Sequence, residues 1–151
     1  MGILQDLLKD IPVPKMAKVK VKFDDQKIDN LEQALMEKLQ QEHIKASVKP
    51  GMEIALAVGS RGLHPLVELT AVTVKFLKEL GAKPFIVPSM GSHGGATAEG
   101  QREVLAHLGV TEESAGCEIR SSMQVVKIGE LPNGLPVYVI QYAAHADGIV
   151  V

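Results

Sequence analysis

The chain is poor in aromatic residues, cysteine and net charge and has no long apolar run, and each shortage removes a class of function. Aromatics make up 3% of the 151 residues, too few for the stacking platforms that hold single-stranded nucleic acids. Sixteen Lys and Arg stand against eighteen Asp and Glu, for a formal net charge of -2. There is then no basic stripe to follow a phosphate backbone, and no nucleic-acid partner is expected. The single Cys117 can form no internal disulfide and has no CxxC partner, so it reads as a small apolar filler in a protein of the reducing cytoplasm. No stretch approaches the ~18 apolar residues of a membrane span. The opening Met1-Gly2-Ile3-Leu4-Gln5-Asp6 lacks the charged region that begins a secretory signal, so no membrane partner is expected either.

What is present is the material of one globular core: 46% hydrophobic residues in a chain of 151, within the size range of a single domain. Alternation over 18–23 predicts a strand, followed by a polar turn at 24–27. Asn30 and Gln33 form the sequence of a capping box, opening a helix with Leu31, Leu35 and Leu39 on one face. Pro50-Gly51 breaks the chain before an apolar strand at 54–58. A helix over 65–80 carries Leu66, Leu69, Thr73, Phe76, Leu77 and Leu80 at helical spacing and ends at Gly81. A second strand at 84–87 leads to a helix over 98–108, with Val104, Leu105 and Leu108 inward and Gly109 at its end. This β-α-β-α order predicts a Rossmann-like α/β fold, a parallel sheet with flanking helices and a right-handed crossover. Two later apolar runs, 125–128 and 137–140, joined by a turn-rich 131–134, predict a C-terminal β-hairpin addition. The last apolar run reaches Val151 itself. Chain ends normally fray in solvent, which leads us to expect that the native chain continues beyond it.

Chemistry concentrates in two loops. The 88–101 stretch, Pro-Ser-Met-Gly-Ser-His-Gly-Gly-Ala-Thr-Ala-Glu-Gly-Gln, sets His93 in a glycine-rich turn between a strand and a helix start, where open α/β sheets bind ligands. Gly91, Gly94 and Gly95 allow close backbone approach, and Thr97 suits an N-cap. The earlier loop, Gly59-Ser60-Arg61-Gly62, follows the 54–58 strand. If the two strands are neighbours, the loops offer a cation, two hydroxyls (Ser60 and Ser92), an imidazole and two helix N-termini to one anionic ligand. Each residue also has a plainer reading: His93 as a turn residue, Arg61 as a solvated loop charge. His64 reads as a turn residue, His107 as a solvated helix end, and His145 and Asp147 as solvent-facing neighbours. A hydrolase nucleophile at Ser92 is disfavoured, because no G-x-S-x-G elbow surrounds it and adjacent side chains point apart.

The combination of 57–62 (Ala-Val-Gly-Ser-Arg-Gly), 81–84 (Gly-Ala-Lys-Pro), 91–97 (Gly-Ser-His-Gly-Gly-Ala-Thr) and 146–151 (Ala-Asp-Gly-Ile-Val-Val) resembles the N-terminal domain of the nickel-dependent lactate racemase family, from about Gly51 to the end. The resemblance implies the N-terminal α/β domain, residues 1–151, of a two-domain isomerase. Such an enzyme racemises or epimerises a small 2-hydroxy acid in the cleft between its domains. It implies a nickel pincer nucleotide as cofactor (pyridinium-3,5-bisthiocarboxylic acid mononucleotide nickel). His93 then matches the acid/base on the substrate hydroxyl and Arg61 the substrate-contacting arginine. Ser60 takes the place of a common threonine, and Gly91, Ser92, Gly94, Gly95 and Thr97 are the cofactor-binding candidates. Val58 stands where an aspartate is common. The second histidine, the cofactor-tethering lysine and the nickel-ligating histidine belong to sequence after Val151. The resemblance therefore implies no metal ligand in this chain, which alone is expected to be inactive and to retain no cofactor, with the C-terminal domain as its partner. A non-catalytic phosphate- or nucleotide-binding module using the same loops is the alternative.

Overall fold

The structure, a computed structural model, describes residues 2, 8–12, 14–61 and 63–151; Met1, Ile3, Leu4, Gln5, Asp6, Leu7, Val13 and Gly62 lie outside the described residues. Helix α1 (Leu31–Leu39) begins at Asn30, whose side chain accepts the Gln33 N–H at 3.0 Å. Only this half of the predicted capping box forms. The Gln33 side chain reaches forward to Glu37 at 3.0 Å, one turn along its own face, where such pairs stabilise a helix. The 18–23 segment differs from expectation more sharply. It belongs to no strand, with Val19, Val21 and Phe23 exposed. Alternation specifies the faces of an extended segment, whereas a ladder needs a partner's N–H and C=O groups, and no described residue supplies them.

After α2 (Glu42–Ser47), strand β1 (Glu53–Val58) pairs in parallel with β2 (Lys83–Pro88), Ala55 opposite Phe85 and Val58 opposite Pro88. Both read as unbroken apolar runs because both faces of the sheet are covered. Leu56, Val58 and Ile86 pack with Val74, Leu105 and Val110 on one side; Ala55, Phe85 and Val87 pack with Ala143 on the other. The crossover helix α3 (Leu66–Glu79) buries Thr70, Val72, Thr73, Val74, Phe76 and Leu77, a broader face than the predicted stripe. It lies between α1 and the sheet, so two sides of it are covered. The Thr70 and Thr73 hydroxyls donate to the Leu66 and Leu69 carbonyls at 2.7 Å, which leaves neither orphaned by burial.

Helix α3 stops where Gly81, at φ +82, donates to the Lys78 carbonyl while Ala82 donates to that of Leu77. Helix α4 (Ala98–His107) ends the same way at Gly109. This is the glycine-terminated cap that satisfies the last carbonyls of a helix. The short α5 (Glu112–Ala115) is held by a Thr111–Ser114 capping box. Beyond it Ile119 bridges β2 in parallel at Ile86. The Glu112 carboxylate accepts from the Ile119 N–H and from Arg102, which hold it below the usual carboxylate range. Arg120 lies over the Phe85 ring at 4.1 Å and pairs with Glu53 and Glu118.

The hairpin forms as β3 (Val125–Glu130) and β4 (Pro136–Ile140), antiparallel, with a register shift between Lys127 and Gly129. Helix α6 (Gln141–Ala144) then leads to β5 (Gly148–Val150), which pairs in parallel with the free side of β1 and gives the order β2-β1-β5. The apolar run reaching Val151 is therefore the third strand of the sheet. Its register starts at Asp147, which accepts the Glu53 N–H on its carboxylate and donates its own N–H to the Glu53 carbonyl, each at 2.8 Å. No helix among the described residues is long and apolar enough to cross a membrane.

Cys117 is buried in the core beside β2, and that burial pushes its thiol pKa up. Less thiolate at a given pH means slower attack on disulfide reagents. We expect native protein at pH 8 to react with such a reagent at least about tenfold more slowly than the same protein in urea. Equal rates would contradict the packing described.

Candidate functional site

Because β1 and β2 run parallel in register, their carboxyl ends lie side by side and the two loops leave the sheet together. The Ser89 N–H donates to the Val58 carbonyl at 2.8 Å, tying the start of the second loop to the end of β1. Across this junction Ser60 Oγ and His93 Nδ1 stand 2.6 Å apart. They face a cavity of about 390 Å³, whose polar wall is Ser60, Arg61, Ser89 and His93 and whose apolar wall is Leu63, Leu66 and Met90. A fixed cation, a hydroxyl and an imidazole beside apolar side chains can bind a carboxylate and exchange a proton with a neighbouring hydroxyl.

The histidine loop is held from three directions. Met90 is buried in the core below it. The Gly91 carbonyl accepts from the side-chain amide of Gln101 at 2.8 Å, and Gln101 is only 3% exposed. Beyond His93 the chain turns through left-handed residues, Gly94, Gly95 and Ala96 at φ +64, +65 and +54. At Ala96, which carries a side chain, that conformation costs roughly 1 kcal/mol. Gly94 lies directly on Gly100 in the first turn of α4, so that a Cβ on either would fall on the other's backbone. Thr97 completes the join. Its hydroxyl donates to the Gly94 carbonyl and accepts the Gly100 N–H, both at 3.0 Å.

The sequence candidates divide between several places. Ser60, Arg61 and His93 meet in the cleft. Gly91 lines a second cavity on the other side of Ser89. Gly94, Gly95 and Thr97 line a separate recess with Glu99 and Glu103, and the exposed Ser92 does not line the cleft. The first turn of α4 spends its Gly100 N–H on Thr97. Val58 is 3% exposed within the core and offers no group to a ligand. His107 and His145 donate from Nδ1 to the Glu103 and Gln141 carbonyls, and Asp147 is engaged by Glu53, so His145 and Asp147 form no acid/base pair. Among the described residues no group of three His, Cys, Asp or Glu side chains is placed to hold a metal.

Sequence reasoning passed over Ser89 and Gln101. Gln101 had a signal: it shares the inward phase of α4 with Leu105, where a polar side chain requires a buried partner. Ser89 had none, since only the parallel register brings it between the loops.

The Gly94–Gly100 contact gives an unusual expectation. Alanine in an exposed helix interior normally stabilises by about 1 kcal/mol relative to glycine. Gly100→Ala should instead lower the melting temperature and shift the His93 amide resonance, because the added methyl pushes the loop off the helix. Stabilisation with an unchanged His93 environment would refute the packing.

Comparison with known proteins adds an independent observation. No match is found among curated proteins or among solved structures. The family model described as the lactate racemase N-terminal domain matches residues 7–151, a span that includes both loops of the cleft and all strands of the sheet, and the chain belongs to that family.

Proposed function

We propose that this domain supplies the proton-transferring side of the active site of a racemase or epimerase acting on a small 2-hydroxy acid. His93 is its acid/base and Arg61 its carboxylate partner. The observation that carries the reading is the 2.6 Å contact between Ser60 Oγ and His93 Nδ1 at the mouth of the cleft. With Nδ1 engaged by Ser60, Nε2 is the ring nitrogen left for a substrate. In the base form Nδ1–H donates to the Ser60 oxygen and the bare Nε2 accepts the proton of the 2-hydroxyl. The imidazolium so formed keeps its bond to Ser60 and returns the Nε2 proton in the opposite direction. Such a positioned base contributes roughly 10²- to 10⁴-fold. The Arg61 guanidinium presents a planar fork that matches a carboxylate, and Leu63, Leu66 and Met90 form the apolar wall of the cleft.

The nickel pincer nucleotide used by the lactate racemase family supplies, when bound, the hydride-accepting chemistry. With its oxygen accepting from His93, the Ser60 hydroxyl would still have a proton to donate to the anionic portion of that cofactor, which leaves Arg61 to the substrate. A non-catalytic phosphate site would draw on the same loops. The capping of α4 by Thr97 and the carboxylates of Glu99 and Glu103 beside Gly94 and Gly95 weigh against it.

The test is a racemase assay on the cofactor-loaded enzyme that contains this domain. His93→Ala should lower kcat by at least about 10²-fold with an unchanged circular dichroism spectrum. Arg61→Lys should mainly raise KM, by about tenfold, because a point charge replaces the fork. A His93→Ala enzyme altered only in KM would remove His93 from proton transfer.

A further inference from the structure

The cleft has a neighbour. On the sheet face opposite α3, a cavity of about 500 Å³ lies between the carboxyl ends of β1 and β2, the hairpin and β5. Its walls include Ala57, Val87, Met123, Tyr138, Val139 and Ile149, and no Asp, Glu, Lys or Arg side chain lines it. Ser89 borders both this cavity and the His93 cleft, and its N–H is fixed to β1. Ser89 is thus shared between the cleft that holds Arg61 and an apolar cavity. Gln101, almost wholly buried, presents its amide at the inner wall while holding the Gly91 carbonyl. At the mouth Met123, Tyr138 and Ile149 are each about half exposed, apolar surface that a ligand would cover.

We propose that the substrate is a 2-hydroxy acid whose side chain is apolar and larger than methyl, seated in this cavity while the hydroxyl meets His93. The inference rests on the racemase reading of the cleft and deepens it. A methyl group leaves the chamber essentially unfilled. A second carboxylate is disfavoured for a different reason, because a charge taken from water into a wall without a counter-charge is costly. The volume falls in the range typical of small-molecule sites.

The experiment is an amide and methyl NMR titration of this chain with lactate, 3-phenyllactate and malate in turn. The expected result is that 3-phenyllactate binds at least about tenfold more tightly than lactate, or ~1.4 kcal/mol, which is less than the gain from fully burying an aromatic side chain. It should move the Val87, Val139 and Ile149 methyl resonances together with the amides of Ser60, Arg61 and His93. Lactate and malate should move the cleft amides alone. Ala57→Leu and, independently, Val139→Phe should abolish the preference for 3-phenyllactate while leaving lactate affinity unchanged. Equal affinities for lactate and 3-phenyllactate, with the cleft amides responding and the methyls silent, would overturn this inference and leave the reading of the cleft standing. The same holds if both filled variants bind 3-phenyllactate as the parent does, in which case the cavity is a packing surface for protein. Silence of Ser60, Arg61 and His93 towards every acid would overturn both.

Discussion

Parallel pairing of β1 with β2 is the constraint from which the rest of the molecule follows. The register sets Val58 beside Pro88, so both chains leave the sheet at one edge and in one direction. Had the strands been antiparallel, Ser60 and His93 would emerge at opposite ends. The same pairing obliges α3 to cross the sheet and bury its broad apolar face, and it leaves the other side of β1 open for β5. Asp147 closes that side by exchanging two hydrogen bonds with Glu53. The cleft is thus a consequence of topology, and its chemistry is carried by a few side chains added to that edge.

Rigidity at the edge comes from small residues and caps. Glycine at 94 and 100 lets the histidine loop lie on the first turn of α4, and Thr97 joins the two with a hydroxyl used as donor and acceptor at once. Gln101 secures the loop's other end at the Gly91 carbonyl. An imidazole on so supported a turn loses little entropy when it engages a ligand.

Much of this was legible in the sequence. The 54–58 and 84–87 runs, the helices between and after them, both glycine stops and the Thr97 cap are local signals, and they appear in the structure with bounds shifted by a residue or two. The hairpin was equally plain. What escaped was non-local. The pattern over 18–23 describes an extended segment but not its missing partner. The run to Val151 gives no hint that it returns to β1, because that pairing depends on Asp147 meeting Glu53 far away in the chain. At the site, the loop residues were readable as a group, but their division between a cleft, a neighbouring cavity and a separate recess is set by φ angles at 94–96 and by the face of the sheet on which each residue falls.

The proposed proton transfer depends most directly on the 2.6 Å contact between His93 Nδ1 and Ser60 Oγ, with His93 as the donor when the ring is neutral. Ring ¹⁵N chemical shifts of His93, measured in mildly alkaline buffer in the parent protein and in Ser60→Ala, test it. The account predicts that the parent holds the neutral ring with its proton on Nδ1 and a bare Nε2, and that Ser60→Ala moves the proton to Nε2, the tautomer favoured by free histidine. A proton on Nε2 in the parent, or ring shifts indifferent to Ser60, would contradict it.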